Sequence, residues 1–275
     1  MKLSVVIPAR NEEGCIAQTV SRVVHVLNRE QIPYEVLVVD DGSTDSTAAC
    51  VRALESTGSV TLVVNQGRHG FGMAVRIGLD WSSGEAVAVM MADASDDPED
   101  LVRYYRKLQE GYECVFGSRF IRGGKVVDYP LHKLAINRLA NLFIRLLFGL
   151  RCNDITNAFK CYRREVLEAI QPLIAPHFNL TVEMPLKAIV RGHSYAVIPI
   201  SWTNRNTGIS KLKLTEMGSR YLFIVLYLWL EKYLARGDYH RRHLAEERPS
   251  PSVYEAGLAP RGSLGGRGSR SGQPL

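Results

Sequence analysis

No two of the five cysteines, Cys15, Cys50, Cys114, Cys152 and Cys161, stand in a C-x-x-C spacing, and their number is odd. Both facts argue against a zinc ribbon and a disulfide framework, and they fit a reducing compartment. Also missing is any apolar run near the ~20 residues that a bilayer-crossing helix needs. The segment YLFIVLYLWL at 221–230 has only ten, and Glu231 and Lys232 follow it. At the amino terminus the apolar run ahead of Arg10, Glu12 and Glu13 is five residues, too short for a signal-peptide core. The chain is therefore expected to stay where it is made. No G-x-G-x-x-G follows the first apolar run and no G-x-x-x-x-G-K-[ST] occurs, which excludes the dinucleotide fingerprint and the P-loop. The glycines of NQGRHGFGMA at 65–74 have neither spacing. No Ser-His-Asp or Cys-His arrangement is evident.

What is present is an ordinary globular composition, 46% hydrophobic and 23% charged over 275 residues, enough for one full-size core. The net charge of +6 would suit an anionic partner, but much of the excess lies in the last forty residues. Nucleic acid is not expected, because the arginines of that tail lack interleaved aromatics. Its Pro, Gly, Ser and Arg content, as in GSLGGRGSRSGQPL, marks 245–275 as a disordered tail.

The first 118 residues alternate short apolar runs with longer mixed stretches: LSVVIP then 12–29, YEVLVVD then 44–56, VTLVV then 70–82, EAVAVMM then 97–110, and YECVFGS. Nearly all-apolar strands separated by helices imply an α/β fold, a parallel sheet covered on both faces. Ser43 and Asp97 are the expected N-caps, with Pro98 at a first helical position. In such sheets ligands bind at the carboxyl ends of the strands. There stand PARNEE at 8–13, DDGSTDST at 40–47, ADASDDPED at 92–100 and GSR at 117–119, and three of these four carry acids. Clustered carboxylates suit a hard divalent cation whose shell is completed by substrate phosphates. Asp93, Asp96 and Asp97 are the candidates, with helix capping as the competing role for Asp96 and Asp97.

In this order and spacing, SVVIPARNEE, VVDDGSTDST, ADASDDPED and GSRF resemble the family 2 glycosyltransferases with the GT-A fold, a Rossmann-like, mostly parallel sheet. GSRFIRGG, DITNAFKCYRREVL at 154–167 and WTNRNTGISKL at 202–212 are similar to its dolichyl- or polyprenyl-phosphate mannosyltransferase branch. The resemblance implies a GT-A domain over 1–215 and inverting transfer of a sugar, first of all mannose from GDP-mannose, to a polyprenyl or dolichyl phosphate. Transfer from UDP-glucose or UDP-N-acetylglucosamine to a lipid phosphate or a saccharide is the alternative. An inactive nucleotide-sugar-binding protein of the same fold is the alternative of another class.

Carried over by position, the resemblance places Pro8, Arg10, Glu12, Val39 and Asp41 around the nucleotide. Ala92 and Asp93 match the end of the family's D-x-D element, in which Met91 replaces the first Asp. Mg²⁺ or Mn²⁺ is the implied cofactor, on Asp93 with Ser95 and Asp96. Arg119, Arg205 and Lys211 match residues near the donor diphosphate and the acceptor phosphate, and Lys133, Asn137 and Arg205 fall in acceptor-phosphate positions. Asp93, Arg119 and Arg205 are thereby the expected catalytic set. A phosphate monoester, with a second pKa of about 6, is its own nucleophile and needs no general base.

Two apolar stretches bear on the lipid. In LAINRLANLFIRLLFGL, 134–150, Asn137, Asn141 and Arg145 recur every four residues in an otherwise apolar sequence, an amphipathic helix with a wide apolar face. The second, over 216–244, carries Tyr221, Tyr227, Trp229 and Tyr233, aromatics suited to a membrane interface. Peripheral contact with the cytoplasmic face of a membrane is expected, with a buried core helix as the competing role of 134–150.

Overall fold

The computed structural model describes residues 1–204 and 214–241. Arg205, Lys211 and the tail at 245–275 lie outside the described residues.

The apolar runs of the first half form β1 (Leu3–Ala9), β2 (Tyr34–Asp40), β3 (Val60–Val64), β4 (Ala86–Val89) and β5 (Cys114–Ser118). Between them lie α1 (Ile16–Arg29), α2 (Thr47–Arg52), α3 (Phe71–Trp81) and α4 (Glu99–Gln109). There follow β6 (Lys125–Val127), α5 (Leu131–Phe148), β7 (Lys160–Arg163), α6 (Arg164–Ala169), α7 (Leu180–Val190), β8 (Tyr195–Pro199), β9 (Ser201–Thr203) and α8 (Leu214–Leu234). The main sheet has the order β3-β2-β1-β4-β7-β5-β8. Its pairings are parallel except where β7 inserts antiparallel between β4 and β5. A small second sheet pairs β6 with β9.

Why the strands read as continuous apolar runs is visible in β1 and β2. Leu3, Val5, Ile7, Val36 and Val38 pack into one core layer with residues of α1 and α4, while Val6, Leu37 and Val39 pack into the other with residues of α3 and α7. Both faces are covered, so neither can be polar.

Two helix starts behave differently from one another. Asp97 caps α4, its Oδ1 accepting from the Glu99 amide at 3.2 Å. Ser43 caps nothing, because α2 begins four residues later and Asp45 accepts from the Thr47 amide and hydroxyl instead. Ser43 ties the first two strand-end loops together: its hydroxyl accepts from the Asn11 amide at 3.0 Å and its amide donates to Asp40 Oδ1 at 3.1 Å.

Helix α5 reverses ordinary burial. Asn141 is 2% exposed, whereas Leu139 and Leu146 are 69% and 74% exposed. Asn137 and Asn141 of its polar stripe turn inward, Arg145 staying exposed, because Asn141 Nδ2 donates to Asn137 Oδ1 and to Thr156 Oγ1, and Asn141 Oδ1 accepts from the Thr156 amide. Only Ile144 and Phe148 join the stripe in the core, so a fully buried helix is not what forms. Gly149, left-handed at φ 65°, stops the helix and lets the Leu150 amide return to the Arg145 carbonyl.

Candidate active site

The carboxyl ends of β1, β2, β4 and β5 open into a cleft of about 790 Å³. Pro8, Arg10, Glu12, Asp41, Asp93, Ser95, Asp96, Arg119, Lys133 and Asn137 all line it. Val39 does not: it is fully buried in β2, where alternation turns its side chain into the core. Ala92 is buried as well, and its carbonyl accepts from Thr19 Oγ1 at 3.0 Å. Asp97 stays outside the cleft in its capping role and faces Arg22 at 3.4 Å. Met91, in place of the family's first Asp, lines the cleft, and its amide donates to Asp96 Oδ2 at 3.1 Å.

Asp41 is a hub. It accepts from Asn65 Nδ2 at 2.7 Å and from the Gly70 amide at 2.9 Å, and lies 3.2 Å from His69 Nδ1. These bonds clamp 65–70 against the end of β2 and so set the start of α3. There the backbone of 175–177 comes so near that a Cβ at Gly70 or Gly72 would lie 2.4 or 2.3 Å from a carbonyl oxygen. The same approach stacks Phe71 on Phe178, centroids 4.3 Å apart, at the cleft wall. The 173–178 segment is held from behind by buried Glu183, which accepts from the Ile174 and Ala175 amides at 2.8 and 2.7 Å and pairs with buried Lys187 at 2.8 Å. The glycines and the i,i+4 Glu-Lys pair in the apolar helix LTVEMPLKAIV were the available sequence signals for this wall.

The acids sit between β4 and α4. Asp93 Oδ1 accepts from the Ser95 amide at 3.2 Å and the Ser95 hydroxyl at 2.5 Å. Asp96 is fully enclosed, and burial pushes its carboxyl up to about 7; the Met91 amide opposes this and the charge of Asp93 adds to it. Its Oδ1 is buried with no hydrogen-bond partner among the described residues. Asp93 and this orphaned oxygen are ligands of the kind a hard cation takes. Among the described residues no three His, Cys, Asp or Glu side chains are grouped to hold a metal. A cation at Asp93 and Asp96 would thus draw further oxygens from a bound diphosphate, as Mg²⁺ commonly does.

Opposite the acids, Arg119 closes β5. Its Nε and Nη2 donate to the two oxygens of Asp154 at 2.7 Å each, and its amide adds a third bond at 3.0 Å. Burial works against this cation, and Asp154 more than offsets it, so the Arg119 pKa is raised. The guanidinium lies 5.1 Å from the Phe120 ring and 5.8 Å from those of Tyr129 and Trp202, an aromatic surround that holds its plane. Sequence reasoning named Arg119 but not Asp154, although Asp154 opens the DITNAF segment. Beneath the floor, burial pulls the Lys160 ammonium down to about 8 while its Nζ donates to the Thr181 carbonyl at 3.2 Å.

The far end of the cleft is apolar, formed by Ile136, Ala140, Phe143 and Ile144 of α5 with Leu222 and Val225 of α8. Lys133 and Asn137, near the start of α5, line the same cleft, and Asn137 donates to Thr156 at 3.0 Å.

Residues 4–171 match the model of Glycosyl transferase family 2. The chain is 35% identical over 215 residues to the polyprenol monophosphomannose synthase of Mycolicibacterium smegmatis, covering 76% of this chain and 80% of that protein. It is 32% identical over 220 residues to the undecaprenyl-phosphate mannosyltransferase of Micrococcus luteus, covering 77% and 88%. Among solved structures it is similar to glucosyl-3-phosphoglycerate synthase from Mycobacterium tuberculosis in complex with Mn²⁺, UDP-glucose and phosphoglyceric acid. That similarity has a TM-score of 0.63 at 20% identity, over 84% of this chain and 79% of the other, and speaks to the fold alone.

Proposed function

Because this chain belongs to glycosyl transferase family 2, we propose that it transfers mannose from GDP-mannose to a polyprenyl phosphate at the cytoplasmic face of a membrane. The observation that carries this reading is the two-ended cleft, in which carboxylates and Arg119 at the strand ends run without a break into the apolar channel between α5 and α8. A nucleoside diphosphate suits the first end and an isoprenoid chain the second. The relatives' names support the lipid-phosphate acceptor and the sugar.

In this reading Pro8, Arg10, Glu12 and Asp41 border the nucleotide, while Val39 and Ala92 shape its pocket from the core rather than by side-chain contact. Asp93, with Ser95 and Asp96 beside it, holds Mg²⁺ or Mn²⁺. When bound, the cation supplies charge for the departing diphosphate. Arg119 faces the same charge from the other side, held in place by its two hydrogen bonds to Asp154. Arg205 and Lys211 add donors from the segment that follows β9. Lys133 and Asn137, near the start of α5, receive the acceptor phosphate.

The acceptor is largely a dianion at neutral pH, because its second pKa is about 6. One of its oxygens attacks the anomeric carbon as the bond from that carbon to the donor's diphosphate oxygen breaks, and the electron pair leaves with the nucleoside diphosphate. A single displacement inverts the anomeric centre, so an α-linked donor yields a β-linked product. No side chain has to remove a proton.

Among the described residues no helix is long and apolar enough to cross a membrane. The exposed leucines of α5, with Phe223, Leu226 and Leu230 of α8, form the face that rests in the headgroup region. Burying a leucine side chain is worth about 1.5–3 kcal/mol, so a few such residues hold the cleft's apolar mouth at the bilayer.

The test is lipid-phase transfer. Purified protein receives polyprenyl phosphate, detergent and Mg²⁺ or Mn²⁺, with labelled GDP-mannose, UDP-glucose or UDP-N-acetylglucosamine in parallel. Label from GDP-mannose alone, lost with chelator and in Asp93→Ala, is expected. Label from a UDP-sugar would replace the donor, and no lipid-phase label from any donor would overturn the reading.

A further inference from the structure

Helix α8 separates two cavities. Tyr221, Leu222 and Val225 line the large cleft, whereas Phe223 and Ile224 line a second, open pocket of about 360 Å³, and Arg220 and His177 border both. Arg68, from the loop that Asp41 clamps, completes the second pocket from across the groove. Two arginines and a histidine line it, and among the described residues it has no carboxylate. Its floor is fixed: Asn179 is 3% exposed, and its Nδ2 reaches the Arg220 carbonyl at 3.5 Å. At its rim stands Phe223, 60% exposed, on the face that continues through Leu226 and Leu230.

A cationic pocket with an apolar rim, open beside an apolar helix face, has the layout of a lipid-headgroup site. Guanidinium groups meet phosphate oxygens by charge-assisted hydrogen bonds, and basic residues at a bilayer surface favour anionic lipids. We propose that the pocket bounded by Arg68 and Arg220 binds the phosphodiester headgroup of an anionic bilayer lipid that is neither donor nor acceptor. The bound headgroup fixes the rotation of α8 at the surface and so the direction in which the apolar mouth of the cleft opens. This inference rests on the membrane contact proposed above. The occupant is a bilayer lipid rather than free phosphate because the rim is apolar and continuous with that face.

Flotation of the full chain with vesicles of phosphatidylcholine, with and without phosphatidylglycerol, tests it at fixed ionic strength. Phosphatidylglycerol is expected to tighten binding of the parent chain. Arg68→Glu should weaken binding to the mixed vesicles by roughly fivefold or more, given the contribution of one basic residue at an anionic surface. It should leave binding to phosphatidylcholine vesicles, and transfer to a short-chain acceptor in detergent, unchanged. Arg52→Glu, at an exposed arginine of α2, controls for overall charge and should match the parent. Equal weakening by Arg52→Glu and Arg68→Glu, or full retention of the phosphatidylglycerol effect in Arg68→Glu, overturns the headgroup site while leaving the membrane contact standing. Loss of the phosphatidylglycerol effect on adding inorganic phosphate, with no difference between parent and Arg68→Glu on vesicles alone, assigns the pocket to free phosphate and overturns it too. Absence of binding to either vesicle sinks the membrane reading itself.

Discussion

At the strand ends the Asp41 carboxylate meets Asn65, His69 and Gly70, Arg119 is tied to Asp154 and Asp93 accepts from Ser95, whereas on the outer side of α5 Leu139 and Leu146 stand open to solvent. The two ends are built on different terms. In the first, the sheet fixes the backbone and each functional group is oriented by a neighbour, so position is complete before any ligand arrives. In the second, a polar seam through Asn137, Asn141 and Thr156, the buried Ile144 and Phe148, and hydrogen bonds from Lys232 and Tyr233 hold α5 in place, while the leucines of its outer side stay exposed. Preorganisation suits the reacting charges, and an uncovered apolar wall suits a ligand that arrives from a bilayer.

The largest expected effect that sharpens this contrast comes from the buried pair. Asp154→Ala leaves Arg119 enclosed without its counter-charge and is expected to cost about 3–5 kcal/mol of stability, read by denaturant unfolding, and to abolish transfer. Asp93→Ala touches charge without touching the core: turnover should fall roughly 10²–10³-fold with the unfolding midpoint nearly unchanged, in a chelator-free steady-state assay.

Asp96 links the polar end to pH. Its folded carboxyl lies at about 7 against an ordinary 3.8 because it is buried, so the folded chain holds that proton more tightly than the unfolded one. The stability this gives is fully present below the unfolded value and is lost as pH rises through the folded one. With chelator present, stability should therefore decline between about pH 4 and 7. Asp96→Asn should flatten that decline and be more stable than the parent at pH 8 by on the order of 2 kcal/mol; an unchanged slope would place the proton elsewhere. The smallest effect on folding belongs to the apolar end. Leu139→Ser with Leu146→Ser should shift stability by no more than about 0.5 kcal/mol per site, while weakening vesicle flotation of the full chain.

The same contrast explains what could be read from sequence. Strands buried on both faces are continuous apolar runs, so the polar residues that follow them, Arg10, Asp41, Asp93 and Arg119, stood out and come together in one cleft. Val39 shapes the nucleotide pocket from behind in this reading, because period-two alternation turns its side chain into the core beside its polar neighbours. Strand β7 was missed because four residues beginning with a buried lysine carry no strand pattern. With it went Asp154, whose meeting with Arg119 spans 35 residues and depends on β7 lying beside β5. In α5 the spacing of Asn137 and Asn141 revealed a stripe, but a helical period does not say which side faces inward. That depended on Thr156, a tertiary partner.

Crosslinking tests most directly whether a single cleft takes the lipid at its apolar end. A polyprenyl phosphate with a photoreactive group in its second isoprene unit, irradiated with the full chain in detergent and mapped by peptide mass spectrometry, should label α5 and α8 around Ile136, Phe143 and Leu222. Excess unlabelled acceptor should suppress that labelling. Labelling concentrated on the loops after β1 and β2, or spread over the surface and insensitive to competitor, would contradict it.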